Sequence, residues 1–139
     1  MSTRGTVFFE IQESPNSKPE VVGRIGIPQD GYPSGVGFEI CAKISSIRID
    51  TSIESPIEQQ FKQHCYCNVE RAILHLLYRH PSDYFFDDEY IYRFIISPYE
   101  TENTSYRLED VIHVVVKHKY DRDDFAGPFE EFRIFCDRT

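Results

Sequence analysis

The chain has 139 residues, of which 40% are hydrophobic, and a formal net charge of −8 at neutral pH. This length and composition are typical of one folded domain with its own core, and they exclude a disordered chain. No apolar stretch approaches the roughly 20 residues of a membrane-spanning helix, the N-terminus lacks the apolar region of a signal peptide, and Lys and Arg form no cluster for a nucleic-acid backbone. We therefore expect a single cytoplasmic domain over residues 1–139, with neither a membrane nor a nucleic acid as its direct partner.

Two strand-like segments open the chain. Residues 6–11 alternate in the manner of a half-buried strand, and residues 20–27 alternate again. The loop between them contains two prolines, which a strand interior does not accept. Consecutive strands joined by a short loop most simply form an antiparallel hairpin.

Two helical segments are predicted next. Apolar side chains recur at helical spacing from Ser34, a candidate N-cap, to Ile47. A second apolar stripe over residues 57–80 begins at a capping box, Ser55-Pro56-Ile57-Glu58, and stops before Pro81. This second helix is the strongest local signal in the sequence.

The last third of the chain has strand character. Residues 90–96, 111–119 and 132–136 are predicted strands, and residues 97–108 and 120–128 are predicted polar loops. The order β-β-α-α-β-β-β predicts an α+β fold, with one five-stranded antiparallel sheet and both helices packed on one face.

The cysteines, histidines and acidic residues are not spaced as they are in catalytic or metal-binding motifs. Cys65 and Cys67 form a C-x-C pair without a second pair at zinc-site spacing, so we expect these cysteines, with Cys41 and Cys136, to be reduced and inert, and Cys65 to be a small core hydrophobe. The five histidines form no H-x-x-x-H pair, and the acidic clusters lack the glycine of a calcium loop. We therefore predict no catalytic residues, no metal site and no cofactor.

Residues 29–37 form the most over-specified loop of the chain, with three glycines, a proline, an acid and an aromatic in nine positions. Arginine beside free N–H groups at a helix start makes an anion pocket. The candidate ligand-binding residues are Arg4, Arg24, Asp30, Tyr32, Gly35 and Gly37. The alternative is a structural turn, in which an arginine pairs with the aspartate and the aromatic covers the helix end.

A second candidate surface consists of acidic and aromatic residues in two loops, because aromatics beside acids often mark an interface. Its members are Tyr84, Phe85, Asp87, Asp88, Asp123 and Asp124. The alternative is that the acids are solvated and the aromatics anchor the loops to the core.

The N-terminal segment contains short motifs that can be compared with those of other proteins. Ser2-Thr3-Arg4 opens the first strand, and Asp30-Gly31-Tyr32-Pro33 leads into Gly35-Val36-Gly37. These motifs, and more weakly Glu89-Tyr90-Ile91-Tyr92, resemble a group of small bacteriophage and prophage proteins that have no established activity. The chain departs from that group at Pro28-Gln29, where a histidine or an aromatic is common. The resemblance implies a phage or prophage origin and a shared small fold, and it implies no reaction.

These observations favour a non-enzymatic binding protein, a phage or prophage accessory factor that contacts a host protein through its acidic, aromatic-rich surface. Self-association into a homodimer through an exposed edge strand is a second form of the same hypothesis. The contrasting hypothesis is a small-ligand protein that holds a nucleotide or another phosphate compound in the glycine-rich loop.

Overall fold

The structure, a computed structural model, describes residues 3–27, 29–50 and 89–138. The longer elements, in chain order, are β1 (Gly5–Ile11), β2 (Glu20–Ile27), a π-helical turn (Pro33–Gly37), α1 (Phe38–Ser45), β3 (Arg48–Asp50), β4 (Tyr90–Ile96), β5 (Ser105–Arg107), β6 (Ile112–His118), β7 (Phe125–Pro128) and α2 (Phe129–Arg138). Two short 3-10 turns occupy Pro98–Glu100 and Leu108–Val111. The helix predicted over residues 57–80 lies outside the described residues.

The fold is α+β, as predicted, but its main sheet is mixed. The strand order is β2-β1-β4-β6-β7, and β1 pairs with β4 in parallel, with Gly5 opposite Tyr90 and Ile11 opposite Ile96. The prediction of a purely antiparallel sheet was wrong at this pair. Parallel neighbours need a long crossover connection, and the chain between Ile27 and Tyr90 is long enough to provide one.

Both described helices, α1 and α2, pack on one face of this sheet. The prediction placed α1 and the helix over residues 57–80 there, so the position of α2 was not predicted. Alternate side chains of the three central strands point to that face and are almost fully buried, Val7, Tyr92 and Val114 among them. Ile40 and Ile44 of α1 belong to the same hydrophobic core. The sheet therefore has a helix-covered face and a second face with partly exposed side chains.

The C-terminal segment differs from the prediction. Residues 132–136 were expected to form a strand, but they lie within α2, and the adjacent β7 falls in a predicted loop. Phe132, Ile134 and Cys136 alternate like strand residues, yet Phe132 and Cys136 are fully buried while Ile134 is 51% exposed. Helical periodicity through Phe129, Phe132 and Cys136 therefore prevails over the two-residue alternation.

A second, two-stranded sheet was also missed, because β3 and β5 are three residues long and show too little periodicity to detect. Its side chains Ile49 and Tyr106 face each other across the pair and are buried. Of the helices in the described ranges, none combines the length and the apolar character needed to cross a bilayer.

Candidate interaction surface

The glycine-rich loop is fastened to the first strand. Asp30 has a φ of 57°, a left-handed conformation that aspartate tolerates better than most residues. The Gly31 N–H donates a hydrogen bond to the Thr3 carbonyl oxygen (2.9 Å), and the buried Tyr92 hydroxyl donates one to the Gly31 carbonyl oxygen (2.6 Å). These two hydrogen bonds therefore hold the loop against the start of the first strand and against the edge of the core.

The backbone amides at the start of the helix are already engaged. The Gly35 N–H donates to the Tyr32 carbonyl oxygen and the Val36 N–H to the Asp30 carbonyl oxygen, both at 2.9 Å. A Cβ atom at position 35 would lie 2.6 Å from the Asp30 oxygen, and one at position 37 would lie 2.6 Å from Cys136 Sγ. Close packing thus requires glycine at both positions.

The two arginines of the predicted anion site lie apart. Arg24 is opposite Phe8 on the sheet face that the helices do not cover, three residues, or about 10 Å, along the strands from Gly5 and the loop. Arg4 is exposed at the start of β1, where its carbonyl oxygen accepts N–H groups from Glu89 and Tyr90. Tyr32 is 37% exposed, and its hydroxyl donates to Asp30 Oδ1 (3.3 Å). The small-anion site remains a prediction, and these placements do not favour it.

Of the second predicted surface, Tyr84, Phe85, Asp87 and Asp88 lie outside the described residues. Asp123 and Asp124 lie in the turn between β6 and β7, residues 119–124, which we call the β6–β7 turn. Both carboxylates have internal partners: the Tyr90 hydroxyl donates to Asp123 Oδ2 (2.6 Å), and the His118 N–H donates to Asp124 Oδ1 (2.8 Å). Both acids therefore hold the turn in place.

His118 organises the β6–β7 turn from its buried end. The backbone N–H groups of Tyr120 and Arg122 both donate to His118 Nδ1, at 3.1 and 3.4 Å. Because Nδ1 accepts these bonds, the ring proton of neutral His118 lies on Nε2, which faces Glu89 Oε2 at 3.4 Å. The imidazole thus takes the place of a backbone acceptor inside the turn.

Lys117 forms ion pairs on the exposed side of the same turn. Its ammonium group contacts Asp121 Oδ1 at 2.6 Å and Asp124 Oδ2 at 2.9 Å, and these two carboxylates raise the pKa of Lys117. Asp121 has a φ of 57°, the left-handed conformation also seen at Asp30. Burial and the Asp123 carboxylate raise the pKa of the Tyr90 phenol, so this hydroxyl stays a donor.

We expect the loss of folding stability at acid pH to depend on the Asp124 carboxylate. The His118 N–H and the Lys117 ammonium hold the pKa of Asp124 below its ordinary value of 3.8. A carboxylate whose pKa is lower in the folded state than in the unfolded state stabilises the fold at pH values above its unfolded-state pKa. This stabilisation is lost as the pH falls through its folded-state pKa. We expect the free energy of unfolding to fall below about pH 4, and Asp124→Asn to flatten that dependence.

Urea denaturation over about pH 3 to 6 measures this effect. Asp110→Asn is the matched control, because the Asp110 carboxylate meets an exposed Arg107 at 3.5 Å. Equal slopes for the wild type and Asp124→Asn would contradict the assignment.

Tyr120 projects from this turn. Its side chain is 59% exposed, the highest value among the large apolar side chains of the described residues. The Lys119 ammonium and the Arg122 guanidinium approach its ring, at 5.6 and 5.7 Å from the centroid. The sequence interpretation missed Tyr120. The available signal was an aromatic residue in a short segment otherwise made of charged residues.

A groove between α1 and α2 is a further surface feature that the sequence interpretation missed. It is open, with a volume of about 400 Å³, and its exposed rim includes Phe38 and Ile134. Arg133 lies at the groove, hydrogen-bonded to Ser45 and 2.7 Å from Glu109 Oε2. Cys41 lies at its base.

The chain was compared with protein-family models, curated protein sequences and solved structures, and none of them matches it.

Proposed function

We propose that this chain is a non-enzymatic protein-binding module and that the β6–β7 turn is its contact surface. The supporting observation is the exposure of the Tyr120 ring on a turn whose backbone is held by hydrogen bonds to His118. Tyrosine is enriched among the residues that dominate binding energy at interfaces. A contact loop that is already ordered loses little conformational entropy on binding.

The charges around Tyr120 refine the hypothesis of an acidic surface. Asp121 and Asp124 are paired with Lys117, and Asp123 accepts the Tyr90 hydroxyl, so these acids organise the turn. The side chains that accompany the ring are those of Lys119 and Arg122. We propose that the partner contacts the tyrosine ring first, with the two cations beside it.

The resemblance to small phage and prophage proteins supports an accessory role in an infected bacterium. We propose a host protein as the partner, with a second copy of this chain as the competing occupant of the same surface. The amides of Gly35 and Val36 are engaged internally and Arg24 lies on another face, so a nucleotide or phosphate function receives less support from the geometry.

The test replaces Tyr120 by alanine. We expect the variant to remain folded, because the ring is largely in solvent, and to lose at least about 30-fold in affinity for its partner, as for a strong interface residue. Immobilised wild-type and variant proteins are exposed to a bacterial lysate, the retained proteins are quantified by mass spectrometry, and the affinity of the enriched protein is then measured.

Tyr99→Ala is the matched control, since Tyr99 is 39% exposed and lies in the separate Pro98–Glu100 turn. Retention of a host protein by the wild type and by Tyr99→Ala, with its loss in Tyr120→Ala, supports the proposal. Equal retention by all three proteins refutes the role of Tyr120. Sedimentation of the purified chain distinguishes self-association from host binding.

A further inference from the structure

Two cysteines from distant parts of the chain meet between the helices. Cys41 lies on α1 and Cys136 on α2, both are buried, and neither is in a disulfide. Their thiol groups share a hydrogen bond. Gly37 makes room for this contact, because a Cβ atom there would lie 2.6 Å from Cys136 Sγ.

The two buried thiols differ in their position relative to the groove. Cys41 is 4% exposed and lies at the base of the open groove between α1 and α2, whereas Cys136 is fully buried. The groove volume of about 400 Å³ falls within the usual range of small-molecule sites. A small reagent in this groove therefore meets Cys41 before Cys136.

The electrostatic surroundings distinguish the same two thiols. The hydrogen bond from Cys136 and the Arg133 guanidinium lower the pKa of Cys41, against the opposing effects of burial and of the Glu109 carboxylate. The hydrogen bond with Cys41 and burial raise the pKa of Cys136. Cys41 borders the groove, and its thiolate, the reacting form of cysteine, is favoured, so we assign Cys41 as the nucleophile of the pair and Cys136 as the second thiol.

We propose that Cys41 and Cys136 form a thiol–disulfide exchange site for small disulfides of the glutathione class. The Cys41 thiolate attacks one sulfur of the disulfide, forms a mixed disulfide and releases one small thiolate. Cys136 then attacks Cys41 Sγ, and its proton passes to the second small thiolate as that group departs. In total, two protein thiols are oxidised to one disulfide, and one small disulfide is reduced to two thiols.

The product joins α1 to α2. The two cysteines are far apart in the chain, so the new bond closes a long loop and restricts the unfolded chain more than it changes the folded one. Cys41 lines the same groove as Phe38 and Ile134, so the disulfide would couple the attachment of the C-terminal helix at this groove to the redox state. This inference is independent of the role proposed for Tyr120.

The test uses the full chain with Cys65→Ser and Cys67→Ser, so that two thiols remain. The folded protein is incubated with oxidised glutathione, and the products are followed by intact mass and peptide mapping. We expect a first adduct on Cys41, then a Cys41–Cys136 bond with the loss of two hydrogens, a rise in melting temperature, and reversal of all three by dithiothreitol.

Single-cysteine variants made on this background test the order of the steps. Cys136→Ser should stop at the mixed disulfide on Cys41. Cys41→Ser should react at least about tenfold more slowly than Cys136→Ser in the folded state, because its remaining thiol does not border the groove. In urea the two variants should react at equal rates. Two results in the double-serine background would each overturn the proposal: a first adduct on Cys136, or no bond between Cys41 and Cys136. Equal reaction rates of the two single-cysteine variants in the folded state would also overturn it.

Discussion

Replacing Phe132 by alanine is expected to lower the free energy of unfolding by about 3–5 kcal/mol, the largest effect of any single substitution proposed for this protein. Phe132 on α2 is fully buried, and its ring lies 5.5 Å from that of Phe94 and 6.3 Å from that of Tyr92 in the sheet. It also meets Phe125 of β7 at 5.8 Å. Alanine would remove the ring that joins the C-terminal helix to the central strand β4 and to the edge strand β7.

Urea denaturation of the purified variant measures this loss. Phe38→Ala is the matched control, because the Phe38 ring is 43% exposed, and its loss should stay below about 1 kcal/mol. Similar losses for the two variants would show that α2 does not contribute to the main core as the structure describes.

Replacing Gly31 by alanine is expected to cost about 3 kcal/mol, at the upper end of the usual range for overpacking. A Cβ atom at this position would lie 2.8 Å from the Gly5 nitrogen and 2.9 Å from the Arg4 carbonyl carbon. Both atoms are backbone at the start of β1, so a side-chain rotation cannot relieve the contact. The displacement would also strain the hydrogen bond from the buried Tyr92 hydroxyl to the Gly31 carbonyl oxygen.

Gly5→Ala is the control for this prediction. Gly5 lies beside Gly31, but its nearest contacts for an added Cβ are 3.3 Å to the Tyr90 carbonyl oxygen and 3.4 Å to the Gly31 carbonyl oxygen. Gly5→Ala should therefore lower the free energy of unfolding clearly less than Gly31→Ala in the same denaturation measurement. The packing explanation fails if Gly31→Ala proves as stable as the wild type.

Local periodicity was sufficient to predict the parts of the fold in which a whole element has one buried side. β1, β2, β4 and β6 are seven or eight residues long, and the last two alternate strictly between buried and more exposed positions. α1 and the turn before it place Val36, Ile40 and Ile44 on one buried face. In each case the side chains that the core requires recur at the period of the backbone.

The same reasoning failed where an element is short or where two periods compete. β3 and β5 have three residues each, fewer than two full alternations. At the C-terminus, Phe132 and Cys136 satisfy both a strand and a helix pattern, and contact with the sheet face decides between them. The parallel pairing of β1 with β4 depends on the crossover connection, which no local pattern reports.

The candidate sites show the same division. The composition of the glycine-rich loop predicted a loop that holds one shape, and the structure shows close backbone contacts at Gly31 and Gly35. Asp123 and Asp124 were identified as neighbours in an acidic loop, but the sequence did not indicate that they hold the turn through Tyr90 and His118.

Composition and short-range patterning thus account for the fold class, four strands of the main sheet and the first helix, because these properties depend on neighbours within a few residues. The display of Tyr120, the separation of Arg24 from the glycine-rich loop and the meeting of Cys41 with Cys136 arise from contacts between residues far apart in the chain. Such contacts follow from the order of strands in the sheet and from the face on which each helix packs. These are properties of the assembled core, and no single segment carries them.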